Sequence, residues 1–90
     1  MMQPIHLRMA RAALGWSLSD LADRVKVNLN TISRYEAGRE VLSGTIGKIE
    51  KALESAGISF IQEDDLGGPG IRMQKPIAKK ATVASRRRSK

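Results

Sequence analysis

The stretch WSLSDLADRVKVNLNTISRYEAG, residues 16–38, decides the fold because it contains the start signals of two short helices. Ser17 is a strong N-cap residue, and Asp20 lies at the N3 position, where it completes a capping box. Trp16 before the cap and Leu21 after it are spaced as a hydrophobic staple, which fixes the direction in which the chain enters a helix. The pattern predicts a short helix directly after Ser17.

The same signals repeat further along this stretch. Asn28 is the second N-cap, and Val27 and Ile32 occupy the staple positions around it. Gly38 ends the second helix, since glycine readily adopts the left-handed conformation that closes a helix. Two short capped helices joined by a tight turn form a helix-turn-helix.

One further helix is predicted on each side of this motif. Pro4 suits the first turn of a helix that Gly15 closes, and the apolar residues between them recur at helical spacing. Another helix begins near Ser43 and stops at Gly57, with its apolar residues on or near one face. The part of the chain up to Gly57 is therefore predicted to be helical.

A β-hairpin is the simplest interpretation of the segment after Gly57. The runs at 58–61 and 71–73 favour β-structure and flank an acidic, glycine-rich loop. Their apolar residues either cap the helical core within one chain or pair edge to edge across a dimer. We predict a mostly α fold: a compact four-helix domain at 1–57, a hairpin extension and candidate dimer element at 58–73, and a disordered basic tail at 74–90.

The positive charge of the chain is confined to its tail. The net charge is +7, from 16 lysines and arginines against nine acidic residues. Residues 1–73 contain nine basic and nine acidic side chains, so the whole excess lies beyond them. This excess favours an anionic polymer as partner, although a purely solubilising tail is the alternative. The tail side chains expected to contact DNA are Lys79, Lys80, Arg86, Arg87 and Arg88.

The composition excludes several classes of protein. The chain has no cysteine and one histidine, which rules out a disulfide scaffold, a thiol nucleophile and a histidine-rich metal site. His6 is expected to be an ordinary surface or partly buried histidine. No set of nucleophile and base indicates an enzyme, and no cofactor or metal ion is implied. Without a membrane-length apolar run or a signal-peptide core, we expect a cytoplasmic protein with neither a membrane nor a small-molecule substrate as partner.

Residues 11–53 resemble the XRE family of bacterial transcription regulators, the lambda-repressor-like and Cro-like helix-turn-helix domains. The resemblance rests on WSLSDLA at 16–22, VNLNTISRYEAG at 27–38 and IxxIxxAL at 46–53. It implies a lambda-repressor-like fold, a homodimer and double-stranded DNA as partner. The helix at 28–37 would lie in the major groove, and the dimer would read two half-sites about 34 Å apart. The downstream hairpin also resembles an extension found in a bacterial subgroup of these regulators.

The resemblance implies roles for individual residues of this sequence. Side chains that would contact bases are Leu29, Asn30, Ser33 and Arg34. Side chains that would contact phosphates are Ser17, Ser19, Thr31 and Arg39. Arg11 and Glu36 would form a structural ion pair that attaches the recognition helix to the first helix. Arg34 has a second interpretation as an ion-pairing residue on the helix surface.

Three residues depart from the family pattern. Leu18 stands where a DNA-contacting glutamine is usual, and Ala37 replaces a residue that is often polar. Lys26 replaces the usual glycine of the motif turn, where a left-handed backbone would cost a non-glycine residue about 1 kcal/mol.

Three functions are consistent with these observations. The first is a sequence-specific transcription regulator, most simply a repressor, that acts as a dimer on DNA of the bacterial nucleoid. The second is an antitoxin-like autoregulator whose C-terminal segment binds a protein toxin; the tail argues against it, because a toxin-binding segment needs apolar anchors. The third is a weakly specific nucleoid-type DNA binder whose affinity comes from the tail. The operator, the regulated genes and the choice between repression and activation stay open.

Overall fold

The computed structural model describes residues 2–74 of the chain. Its elements, in chain order, are α1 (Pro4–Leu14), α2 (Leu18–Val25), α3 (Leu29–Glu36), α4 (Ser43–Ser55), β1 (Ile58–Ile61) and β2 (Gly70–Met73). The prediction of a mostly α fold with four helices and a hairpin is confirmed. The tail side chains expected to contact DNA lie outside the described residues: Lys79, Lys80, Arg86, Arg87 and Arg88.

Local hydrogen bonds fix the starts of α2 and α3. Ser17 Oγ accepts the main-chain N–H of Asp20 at 3.0 Å, and Asp20 Oδ2 accepts the N–H of Ser17 at 2.9 Å. The main-chain N–H of Ser17, together with the Ser17 side chain, holds the pKa of the Asp20 carboxyl below its ordinary value. Asn28 Oδ1 accepts the N–H of Asn30 at 2.8 Å and caps α3. Both predicted N-caps are therefore present.

Each of the three turns between helices contains a residue with a positive φ: Gly15, Lys26 and Gly38. Gly15, after α1, has a φ of 71°, which glycine adopts without steric cost. Lys26, between α2 and α3, has φ 59° and ψ 45°. Within residues 2–74 it is the only non-glycine residue with a positive φ. The turn of the helix-turn-helix thus has the backbone conformation that is usual for glycine, although the residue there is a lysine. The Lys48 ammonium donates to the Lys26 carbonyl at 3.4 Å.

The core is aliphatic, and all the helices together with β1 contribute to it. Its most deeply buried hydrophobic side chains are Leu7, Ala10, Leu21, Ile32, Ile49, Leu53 and Ile58. Trp16, Leu18 and Val27 pack against this cluster and remain partly exposed. Burial of one such aliphatic side chain contributes about 1.5–3 kcal/mol, so tertiary packing holds these short helices in place.

The hairpin is antiparallel and shares the helical core. Its register pairs Ile58 with Met73 and Phe60 with Ile71. Ile58 is buried among the helices, and Phe60 and Ile71 pack against the same cluster. This packing matches the interpretation in which the hairpin caps the core of its own chain. Pairing of the hairpin across a dimer remains a prediction. Ile61 and Met73 in the hairpin are 45% and 51% exposed.

His6 is fully buried, so the expectation of a surface or partly buried histidine was wrong. Its Nδ1 accepts the N–H of Gln3 at 2.9 Å, and its Nε2 lies 2.9 Å from the Ile61 carbonyl oxygen. A neutral ring that accepts at Nδ1 donates at Nε2, so both ring nitrogens are satisfied. The Phe60 ring meets the imidazole edge-on, with centroids 5.4 Å apart. The expectation failed because the hairpin covers the first turn of α1, a contact that local spacing does not reveal.

Tyr35 connects α3 to the amino-terminal segment. Its hydroxyl donates to the carbonyl of Met2 at 2.9 Å, and both residues are buried. Burial, reinforced by the carboxylate of Glu50, raises the pKa of Tyr35. A tyrosine hydroxyl is protonated at neutral pH at its ordinary pKa of about 10, and the raised pKa favours this donor state further.

Candidate nucleic-acid interface

One face of α3 is presented to solvent while the other is packed in the core. Ile32 and Tyr35 are buried. The residues predicted to contact bases are all exposed: Leu29, Asn30, Ser33 and Arg34. Their spacing puts them on one side of the helix. A helix of this width fits the major groove of B-DNA, so the exposed face is available for reading base edges.

The exposed face combines two hydrogen-bonding side chains with an apolar one. The Asn30 amide matches the donor–acceptor pair of an adenine edge, and the Arg34 guanidinium matches the two acceptors of guanine. Leu29, 41% exposed at the first position of α3, offers an apolar surface of the kind that contacts a thymine methyl group. The first turn of α3 contains no acidic side chain that would repel DNA.

Arg34 is already oriented by the loop after α3. Its Nη2 donates to the carbonyl of Glu40 at 3.2 Å. No carboxylate lies within ion-pairing distance of it among residues 2–74, so the surface ion-pair interpretation finds no support there. Arg34 also lines an open groove of about 590 Å³ between α3 and the start of α4, together with Thr31, Glu40, Val41, Leu42, Ser43 and Thr45.

The predicted phosphate contacts surround α3 without forming one cluster. Thr31 is partly buried and shares the groove at the start of α4 with Arg34. Ser19 is exposed and lines a second groove with Leu29, at the junction of α2 and α3. Ser17 is exposed before α2, where it serves as the cap, and Arg39 is exposed after α3.

An ion pair attaches α3 to α1. Arg11 Nε donates to Glu36 Oε2 at 2.6 Å, and Arg11 Nη2 donates to Glu36 Oε1 at 2.9 Å. The Glu36 side chain is 10% exposed and that of Arg11 21%, so the pair is partly buried. The hydrogen bonds to Glu36 raise the pKa of Arg11. Arg11 Nη1 also donates to the Trp16 carbonyl at 3.1 Å, which joins the start of α2 to the same site.

Sequence reasoning missed a second arginine at this site. Arg8 Nη2 donates to the main-chain carbonyl of Glu36 at 2.8 Å, and Arg8 Nε lies 3.9 Å from Glu36 Oε1. The spacing of Arg8 and Arg11 on α1 was an available signal, because residues three apart share a helix face. What the sequence did not supply was a reason to expect a contact with the main chain of α3.

Two of the departures from the family pattern alter this surface. Leu18 is partly buried and packs against the core, so its side chain is taken up by packing. Ala37 is the exposed C-cap of α3 and has no polar side chain to offer a phosphate. Among the predicted phosphate contacts, Ser17, Ser19 and Arg39 are exposed polar residues near this face.

Residues 2–74 show neither of two other features, a metal-binding group of side chains or a membrane-spanning helix. No group of three or more histidine, aspartate or glutamate side chains within residues 2–74 is arranged to hold a metal ion. In the same part of the chain, each helix is too short or too polar to cross a bilayer. The exposed face of α3, with the grooves on either side of it, is the feature best suited to a ligand.

Comparison with known proteins agrees with this geometry. A family model described as helix-turn-helix matches residues 7–57, which is more than half of the chain and extends from α1 to the end of α4. Among curated proteins, none matches the chain significantly.

Proposed function

Because the chain belongs to the XRE family of helix-turn-helix domains, we propose that this DNA-binding transcription regulator is a sequence-specific repressor that binds its operator as a homodimer. The observation that carries the proposal is the exposed face of α3, which has base-reading chemistry and is held to the core by a bidentate ion pair. Repression requires only that the bound protein obstructs transcription, so occupancy of the operator suffices.

In this proposal α3 enters the major groove and reads base edges. Asn30 bonds an adenine, Arg34 bonds a guanine, Ser33 adds a hydroxyl and Leu29 contacts a thymine methyl group. The 3.2 Å bond from Arg34 to the Glu40 carbonyl supports this role, because it orders the guanidinium before DNA arrives. A planar guanidinium with five donors keeps other N–H groups for a base.

Phosphate contacts position the helix without reading sequence. Ser17, Ser19, Thr31 and Arg39 supply these contacts around α3, and the positive end of the α3 dipole adds to them. Since residues 1–73 carry no net charge, the folded part attracts DNA weakly at long range. The basic side chains of the tail, Lys79, Lys80, Arg86, Arg87 and Arg88, would supply the long-range attraction.

The homodimer is proposed to form through the hairpin. Ile61 and Met73 expose apolar side chains on a two-stranded sheet, whose free edges have main-chain groups available for pairing. A dimer that reads two half-sites has to hold its two copies of α3 about 34 Å apart, on successive turns of the DNA. The exposure of these apolar residues supports the dimer.

The proposal is tested by selecting bound duplexes from a random pool with the full chain. The expected result is a two-fold symmetric site whose half-sites are separated by about 10 base pairs. A pool without any enriched site would contradict the proposal and favour the weakly specific nucleoid-type binder. Recovery of a stoichiometric small protein with the chain from its source cell would favour the antitoxin alternative.

Two variants assign the readout within the enriched site. We expect Asn30→Ala and Arg34→Ala each to relax the preference at one base position by about 1–3 kcal/mol. Lys51→Ala, which changes an exposed residue of α4, is the control. An equal loss of affinity on selected and random duplexes would make Asn30 and Arg34 phosphate contacts.

The contribution of the tail is measured by salt dependence. Replacing Arg86, Arg87 and Arg88 by glutamine in the full chain should reduce the log–log salt slope by about 0.9 for each phosphate that is no longer neutralised. The base preferences should not change, because these side chains are not proposed to read bases. An unchanged slope would remove the three arginines from the interface.

A further inference from the structure

The carboxyl end of α3 has one main-chain carbonyl that its own turn does not satisfy. The last four carbonyls of a helix lack partners inside that helix. Three of them accept N–H groups from the residues after the helix: Ser33 O from Ala37 at 3.1 Å, Tyr35 O from Gly38 at 2.9 Å, and Arg34 O from Arg39 at 2.9 Å. The remaining carbonyl is that of Glu36, the last residue of α3.

Arg8 completes this set from another helix. Its Nη2 donates to the Glu36 carbonyl at 2.8 Å across 28 positions of sequence. Arg11, one turn further along α1, binds the carboxylate of the same glutamate. Arg11 therefore binds the side chain of Glu36, whereas Arg8 binds its main-chain carbonyl and also lies within ion-pair distance of its carboxylate.

We propose that Arg8 is a positioning residue for DNA readout, which sets the angle of α3 and of the turn after it. The inference rests on the proposed function, because it assumes that α3 reads bases. A charged donor at a helix carboxyl end is favourable both as a hydrogen bond and with the helix dipole. Since α3 has only eight residues, a small rotation at Glu36 moves Arg34, which reads the base, and Arg39, which contacts phosphate.

Two other roles for Arg8 make different predictions. Its side chain is 56% exposed, so it has room to contact a phosphate directly. A phosphate contact would weaken binding to all duplexes equally and would lower the salt slope. A purely stabilising role would lower the melting temperature and leave the preference for the selected site unchanged. A positioning role lowers the preference itself.

The experiment compares Arg8→Gln, Arg8→Lys and the charge-loss control Lys51→Gln in the full chain. Affinities for the selected duplex and for a random duplex are measured over a range of salt concentrations. We expect Arg8→Gln to reduce the ratio of the two affinities about fivefold, the factor that corresponds to one hydrogen bond. The salt slope should equal that of the unmodified protein, Arg8→Lys should restore part of the ratio, and Lys51→Gln should leave the ratio unchanged.

Amide hydrogen exchange of the free protein gives a second readout that does not depend on DNA. Loss of the Arg8 bond should accelerate exchange at the N–H groups of Gly38 and Arg39, which belong to the same turn. Lys51→Gln should not change their exchange. If Arg8→Gln is poorly folded, Arg8→Lys provides the same comparison with the charge retained.

The outcomes separate failure of this inference from failure of the proposed function. An unmodified protein that selects no duplex contradicts the proposed function and overturns the inference with it. If the unmodified protein selects a site, equal losses on both duplexes with a slope smaller by about 0.9 make Arg8 a phosphate contact. An unchanged affinity ratio, with or without a lower melting temperature, also overturns the positioning role.

Discussion

The two ends of α3 are held by different kinds of contact. At the amino end, Asn28 caps the helix through a bond to Asn30, two residues away. At the carboxyl end, Arg8 and Arg11 reach from α1, 28 and 25 residues earlier, to the carbonyl and side chain of Glu36. The amino end is thus secured by its own segment, whereas the carboxyl end, besides its local main-chain bonds, also depends on how two helices are arranged. The comparison separates what a short segment specifies alone from what only the folded domain supplies.

The largest expected loss of stability follows from removing the long-range contacts at the carboxyl end of α3. Glu36→Ala leaves Arg11 partly buried without its partner, and we expect the free energy of unfolding to fall by about 3 kcal/mol. Urea denaturation measures the change. Glu54→Ala, at an exposed position of α4, is the matched control. If the two variants lose the same stability, the ion pair does not hold α3.

A second long-range contact extends the comparison to α1. His6→Ala removes the partner of the Gln3 N–H and of the Ile61 carbonyl, and it leaves a cavity beside Phe60. We expect a loss of about 2 kcal/mol, since each unsatisfied buried polar group is costly. The melting temperature measures this loss. Stability equal to that of the unmodified protein would mean that the hairpin does not depend on His6.

Substitution at the amino end of α3 should lower the free energy of unfolding by less. Asn28→Ala removes the N-cap bond of α3, and we expect it to lower the free energy of unfolding by about 1 kcal/mol. Asn28→Gly should cost much less, because glycine is accepted at this position. The same urea titration compares the two variants. A loss of stability from Asn28→Ala as large as that from Glu36→Ala would contradict the expectation that the amino end of α3 contributes less.

The smallest effect concerns the local cap of α2 and is visible as a pH dependence. The pKa of Asp20 is lower in the folded chain, so its bonds with Ser17 stabilise the fold above the ordinary carboxyl pKa of about 4. This stabilisation is lost as the pH falls through the lower folded pKa. The urea midpoints of Asp20→Asn and the unmodified protein should therefore differ at neutral pH and converge in acid.

Asp23→Asn, at an exposed position of the same helix, controls for the loss of one negative charge. If the difference between Asp20→Asn and the unmodified protein does not depend on pH, the carboxylate of Asp20 does not strengthen the cap.

The sequence predicted those parts of the fold that short segments specify. The caps at Ser17 and Asn28 and the left-handed turn at Gly15 each depend on a few neighbouring residues, so their signals survive in the bare sequence. For the candidate site, the resemblance to a family singled out Leu29, Asn30, Ser33 and Arg34, and all four are exposed on α3.

Contacts between distant segments were predicted less completely. The pairing of Arg11 with Glu36 came from the resemblance to a family and not from the spacing of the two residues. The bonds of Arg8, His6 and Tyr35 end on main-chain carbonyls, which every residue possesses and which therefore leave no mark in the sequence. Only the packing of the helices and hairpin determines which carbonyl lies within reach.

The bond between His6 and Ile61 has a consequence for the order in which a ribosome delivers the chain. His6 emerges well before its acceptor, which lies 55 residues later in the chain, at the end of β1. A nascent chain that stops at the end of α4 has its helix-turn-helix but lacks the strand that covers the buried imidazole. The domain therefore closes only after β1 has emerged, and its uncovered core is most exposed to aggregation just before that point.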